Sequence, residues 1–279
     1  MANGRKSLAL ALGSVAVASL GLASCGDSDT PVAKPPTAGP STGPSNGRSN
    51  GAGGSEARQQ RAGASLAGKT VVLDPGHNGG PLKGGQVFVG NGYKACDTSG
   101  TATDAGYSEH AFTWDTAKRL QKVLQRRGAK VVLTRPNDKG SGPCIDERAA
   151  IGNRHKADAV ISIHADGAAP GGRGFHVIKP KPVKGLNEGI IAPSSKLGDA
   201  VLAAYKTGTG MPYSTYLGDN GVTVRDDLGG LNLSKVPKIF IETGNMRNKT
   251  DAAKLSDPAF RQRMAVAMAD GLTRYLTGK

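Results

Sequence analysis

The sequence predicts a single α/β domain, because short apolar strand runs alternate with amphipathic helical stretches from Lys69 to the C-terminus. A second observation places that domain within the chain. The 1 Trp, 6 Tyr and 5 Phe all lie at or beyond Phe88, so the first third cannot build an ordinary core. The apolar runs exclude a wholly disordered protein, and the lack of repeated long apolar spans excludes a multi-pass membrane protein. The formal charge of +14 over 279 residues admits three partners: nucleic acid, an anionic membrane or an anionic wall polymer.

Residues 1–25 read as an export signal. Arg5 and Lys6 precede an uncharged Ala, Leu and Val-rich stretch from Ser7 to Ser24, which is short for a spanning helix and is interrupted by Gly13 and Gly21. A retained anchor helix is the weaker alternative. Leu22-Ala23-Ser24-Cys25 resembles a bacterial lipobox, in which the Cys is acylated and becomes the mature N-terminus. The competing reading is a plain signal peptide with an incidental Cys. Residues 26–68 are rich in Gly, Ser, Pro, Thr, Asn and Ala and hold no aromatic residue, which predicts a disordered linker. As a flexible coil it would span roughly 35 Å.

Within 69–279, Thr70–Leu73 is a short buried strand running into Asp74-Pro75-Gly76-His77. Residues 109–127 form a helix whose stripe is Trp114, Ala117, Leu120 and Leu124, with Gly128 as its stop. Strands follow at 130–134, 159–164, 174–179 and 238–242, and helices at 146–155 and 195–207. The closing helix, about 257–276, carries Phe260, Met264, Ala267, Gly271 and Tyr275 on one face and Pro258 in its first turn. The connections 78–108 and 208–235 are too polar and Gly-rich for core; loops of that length are commonly functional.

Chemistry-bearing residues sit where strands and helices meet. His77 follows the first strand, and His164 ends Ile161-Ser162-Ile163-His164. Groups just beyond strand C-termini of an α/β sheet gather in one crevice. Glu109 opens the long helix after Ser108, and the spacing 109, 113, 116, 120 puts it on the inward face. Two imidazoles and one carboxylate are a catalytic zinc set with a position left for water. Glu242, ending Ile239-Phe240-Ile241-Glu242, is the candidate to take that water's proton. Each residue alone has a plainer explanation. A His after a strand is commonly structural, a Glu in a first helical turn suits the helix dipole, and a strand-end Glu can face water. His110, His155 and His176 are assigned no role.

Together these motifs resemble the zinc-dependent N-acetylmuramoyl-L-alanine amidases, more narrowly the mycobacterial and actinobacterial type. The resemblance rests on Asp74-Pro75-Gly76-His77-Asn78-Gly79, Glu109, Ser162-Ile163-His164-Ala165-Asp166 and Glu242-Thr243-Gly244-Asn245-Met246, in that order. Gly172–Val177 and Leu228–Asn232 add to it, and the linker lies outside it. The resemblance implies a central, mostly parallel or mixed sheet flanked by helices. It implies one zinc ion on His77, Glu109 and His164, with Glu242 as the catalytic carboxylate. The implied reaction is hydrolysis of the amide joining the lactyl group of N-acetylmuramic acid to the L-Ala of the stem peptide. A zinc carboxypeptidase or endopeptidase acting within stem peptides, and a non-catalytic wall-binding module, are the alternatives. Asp74 and Asp166 either orient the histidines or form turns.

Export brings oxidising conditions, which favours a disulfide between Cys96 and Cys144 over two free thiols. Loop-closure entropy puts its contribution at about 4 kcal/mol at most. Of the +14, the first 68 residues supply +3 and the remainder +11. Arg135, Arg148 and Arg173 lie near strand ends, where they either meet stem-peptide carboxylates or belong to a solvated face. No nucleic-acid-binding motif is present, so nucleic acid is not an expected partner. The expected picture is a monomer on the outer face of the cytoplasmic membrane, lipid-anchored or else secreted, acting on peptidoglycan or muropeptide fragments.

Overall fold

The computed structural model describes residues 65–279. The export signal, Cys25 and the linker up to residue 64 lie outside the described residues. The ordered domain begins earlier than Lys69. Leu66 is fully buried in the main core and its N–H donates to the Arg127 carbonyl, so the expected linker ends before Leu66.

In chain order the elements are β1 (Thr70–Pro75), β2 (Gln86–Phe88), β3 (Tyr93–Ala95), α1 (Glu109–Arg126), β4 (Lys130–Leu133), α2 (Ile145–Arg154) and β5 (Ala159–Asp166). These are followed by β6 (His176–Pro180), α3 (Ile191–Thr209), β7 (Val222–Arg225), α4 (Gly229–Asn232), β8 (Lys238–Asn245), α5 (Lys249–Ser256) and α6 (Pro258–Thr277). Six strands form one sheet in the order β4-β1-β5-β8-β6-β7. Every neighbouring pair is parallel except β8 and β6, so the sheet is mixed. Among the described residues no helix is long and apolar enough to cross a membrane.

The two-residue period of a strand gives the sheet two unlike faces. Val71, Leu73, Ala159, Ile161, Ile163, Val177, Ile239 and Ile241 all point into the main core under α1, α3 and α6. Their neighbours point the other way. Val72 and Val160 join a small cluster with Ala157, but Asp74, Ser162, His164, His176 and Glu242 fill the rest of that second face.

Several expectations need correction. The connection 78–108 contains the hairpin β2–β3, and 208–235 contains the edge strand β7, the short helix α4 and buried Met211 and Leu231. Helix α5 also went unread: its N-cap Asn248 accepts from the Thr250 and Asp251 N–H groups, and it is too short to show a clear apolar period. Helix α3 starts at Ile191, four residues before the apolar stripe suggests, with Pro193 tolerated in its first turn. Trp114 is not a core residue. Phe112 occupies the inward position on α1, and Trp114 lies half-buried with the Arg135 guanidinium 5.1 Å from its ring.

Candidate active site

Strand register assembles the site. On the second face of the sheet His164 of β5 pairs with Glu242 of β8, which pairs with His176 of β6, so the three form one row across the strands. The Phe240 ring, one step along β8 on the same face, stacks on His164 at 5.2 Å. His77 follows β1 in a left-handed conformation, φ +59°, which a non-glycine residue holds only when its surroundings fix it. Arg148 supplies that fixing: its Nη2 donates to the His77 carbonyl at 2.8 Å. Gly76 has no room for a side chain, since a Cβ there would sit 2.2 Å from the His164 ring.

Glu109, at the N-terminus of α1, reaches over the strand ends. Its Oε1 lies 3.1 Å from His77 Nε2 and 3.0 Å from His164 Nδ1. The Ala165 N–H donates to the same oxygen and the Thr101 N–H to Oε2. One ligand atom from each of the three residues lies within 4.8 Å of the others. His77 Nδ1 donates to the Thr98 carbonyl at 2.8 Å, which turns Nε2 toward the shared point. Two imidazole nitrogens and a carboxylate, all aimed at one spot, fit a divalent metal ion.

Burial works against ionising Glu109, but the two histidines outweigh it and hold its carboxyl well below the usual range. For His77 burial pulls downward, and Glu109 more than reverses it, so the imidazole is raised. Glu242 goes the opposite way. Burial first, then the negative charges of Asp166 and Glu109, push it well above an ordinary carboxylate, and Arg225 offsets only part. Its buried Oε2 has no hydrogen-bond partner. A cavity of about 340 Å³ holds all of these groups and is also lined by Lys94, Arg225 and Asp227.

Residues 71–274 match the N-acetylmuramoyl-L-alanine amidase family. The chain belongs to that family. An N-acetylmuramoyl-L-alanine amidase of Mycobacterium tuberculosis is 41% identical over 216 residues, 76% of this chain and 88% of that protein. The crystal structure of the amidase Ami1 from Mycobacterium smegmatis superposes with a TM-score of 0.74 at 42% identity, covering 77% of this chain and all of that one. A probable cell wall amidase of Staphylococcus epidermidis is 30% identical over 79% of this chain and 63% of its own length.

In this amidase Cys96 and Cys144 form a disulfide, which joins the end of the β2–β3 hairpin to the N-cap of α2. Asp74 makes no hydrogen bond to His77 or His164 and lies within β1 rather than in a turn. It is a buried hub that accepts from Arg148, Lys238, Thr134 and Ser162. Burial opposes its ionisation, but Lys238 and Arg148 prevail and hold it far below the usual range. Asp166 also orients neither of the two expected histidines; its Oδ2 meets His176 and Tyr216 instead. Arg135 and Arg148 are buried, at 1% and 4% exposure, and hold the backbone of Pro75. Neither belongs to a solvated face. Arg173 is half-exposed and points at Asp251. His110 pairs with Asp138 and His155 caps α2.

Sequence reasoning missed His176 and Tyr216. His176 had a readable signal, since it stands between the core residues Phe175 and Val177 and must therefore face the site side of the sheet. Tyr216 lies in an irregular connection and had none.

Proposed function

We propose that this amidase uses one zinc ion, held by His77, Glu109 and His164, to hydrolyse the amide between the N-acetylmuramic acid lactyl group and the L-Ala of a stem peptide. The observation that carries this reading is the contrast between Glu109 and Glu242, two of the acids of the cavity. Both Glu109 oxygens are engaged, by two histidines and two backbone N–H groups. Glu242 faces the same cavity with an unpartnered oxygen and a raised affinity for protons. Glu109 therefore suits a ligand and Glu242 a general base.

Zinc, when bound there, supplies Lewis acidity that makes a water more acidic and polarises the scissile carbonyl. Glu242 takes the proton of the attacking water at its carboxylate and passes it to the departing amine nitrogen. Thr98 and Arg148 hold His77 in place, while the β5–β8 register holds His164 beside Glu242. The domain order that goes with this reading is signal, linker and catalytic unit, with Cys25 lipidated and the enzyme working as a monomer in the cell envelope. The relatives named as cell wall amidases support that setting.

Digestion of purified muropeptides, read by mass, tests the activity. The expected products are intact stem peptides beginning with free L-Ala, formed only when the metal is present and restored by adding zinc after chelation. Cleavage between peptide residues with the lactyl amide intact would replace this reading by a peptidase.

A further inference from the structure

The cavity holds a further acid, Asp166, that this chemistry leaves without a task. Asp166 lines it together with His77, Glu109, His164 and Glu242. The β5–β8 ladder shifts register between His164 and Asp166, so that Asp166, which lines the cavity, pairs with Asn245 rather than Gly244. Its Oδ2 accepts from the Tyr216 hydroxyl at 2.8 Å and from His176 Nε2 at 3.0 Å. His176 is fully buried; because a carboxylate oxygen only accepts, its Nε2 carries the proton that faces Asp166, and its Nδ1 lies 2.9 Å from the Thr223 hydroxyl. The Tyr216 ring is seated against Gly172, where a Cβ would come within 2.7 Å of it. One edge of the carboxylate is thus fixed by two donors. The other oxygen, Oδ1, has no hydrogen-bond partner among the described residues, and the side chain is 27% exposed.

Amide hydrolysis needs an acceptor for the N–H of the scissile bond, and that need grows as the nitrogen gains a proton and positive charge. Glu109 is fully engaged and Glu242 is carrying the proton. Resting on the activity proposed above, we infer that Asp166 accepts the N–H of the scissile amide and holds that nitrogen as it gains positive charge and leaves as the amine, with Tyr216 and His176 as positioning residues. The water oxygen bonds to the carbonyl carbon as the C–N bond breaks; one water proton travels through Glu242 to the nitrogen, which leaves as the amine, and the other stays on the new carboxyl group, which releases it as the products separate. Asp166 takes no proton and forms no covalent bond. An anion fixed beforehand where positive charge develops favours the transition state over the ground state.

The test compares two substrates for the zinc-loaded enzyme: an N-acetylmuramoyl-L-alanyl peptide and its analogue with an ester oxygen in place of the scissile nitrogen. The ester has no N–H, so the readout is the ratio of amide to ester kcat/KM. Asp166→Asn is expected to lower that ratio about 30-fold, because it removes a fixed charge partner of the reacting group. Tyr216→Phe keeps the carboxylate but releases it, and is expected to lower the ratio about fivefold. It also serves if Asp166→Asn fails to fold. Equal losses on both substrates would overturn the assignment and leave Asp166 a purely structural residue. A wild-type enzyme that opens neither substrate would remove the proposed activity, and this assignment with it.

Discussion

The two faces of the central sheet are built from the same strands and obey opposite rules. On the face under α1, α3 and α6, every inward residue of β1, β5 and β8 up to Glu242 is aliphatic, and packing alone stabilises it. The residues one position away are Val72, Val160 and Lys238 at one end and, toward the strand C-termini, Asp74, Ser162, His164, Phe240 and Glu242. That face is covered lightly, by α2, α4 and the β2–β3 hairpin, and it encloses the cavity. Within it a second contrast appears. Asp74 is buried with two cations and two hydroxyls, while Glu242 is buried with neighbouring anions and a bare oxygen. A buried carboxylate with full compensation is part of the scaffold, and one without it is poised to accept a proton.

The sharpest way to break this contrast is Glu242→Gln. Loss of the proton carrier is expected to lower kcat about a thousandfold. Thermal melting should stay level or rise slightly, since the carboxylate makes no compensating bond. Retained activity, or a large drop in stability, would show that the two acids do not differ as described. Asp74→Asn is the mirror experiment. It leaves Lys238 and Arg148 buried without their anion and is expected to cost about 4 kcal/mol in denaturant titration.

That pairing also has a pH signature. Because the folded state holds Asp74 below its ordinary value, its contribution is present in full above the unfolded pKa of about 3.9 and declines as pH falls below it. The acid limb of a stability-against-pH curve should therefore be shallower for Asp74→Asn than for wild type. An unchanged acid limb would show that the carboxylate is not ionised in the fold.

On the apolar face, Ile161→Ala is expected to cost about 3 kcal/mol through the cavity it leaves, while kcat of the folded fraction stays near wild type. A loss of kcat without loss of stability would mean that the two faces are not separable. The smallest effect expected is from Cys96→Ser with Cys144→Ser, about 2 kcal/mol by chemical denaturation. Its influence should fall on the site face, where α2 carries the Arg148 that holds the His77 carbonyl.

The strands and long helices were legible because their apolar residues repeat at periods of 2 and 3.6, and the strand part of the main core follows from that, whereas Leu66, Phe112 and Met211 do not. The inward direction of Glu109 was legible for the same reason. The ordering motifs around His77, His164 and Glu242 also carried the family resemblance. The partners of the remaining polar residues were not legible. Asp74 and Asp166 are both aspartates at strand ends, and nothing local distinguishes one that meets Lys238, 164 residues away, from one that meets Tyr216 in a loop. Sequence alone thus determined the alternation that separates core from site residues along the strands, though it misplaced Trp114 on the long helix. Only the tertiary structure decided which of the site residues' charges are compensated, because that depends on strands brought side by side from distant parts of the chain.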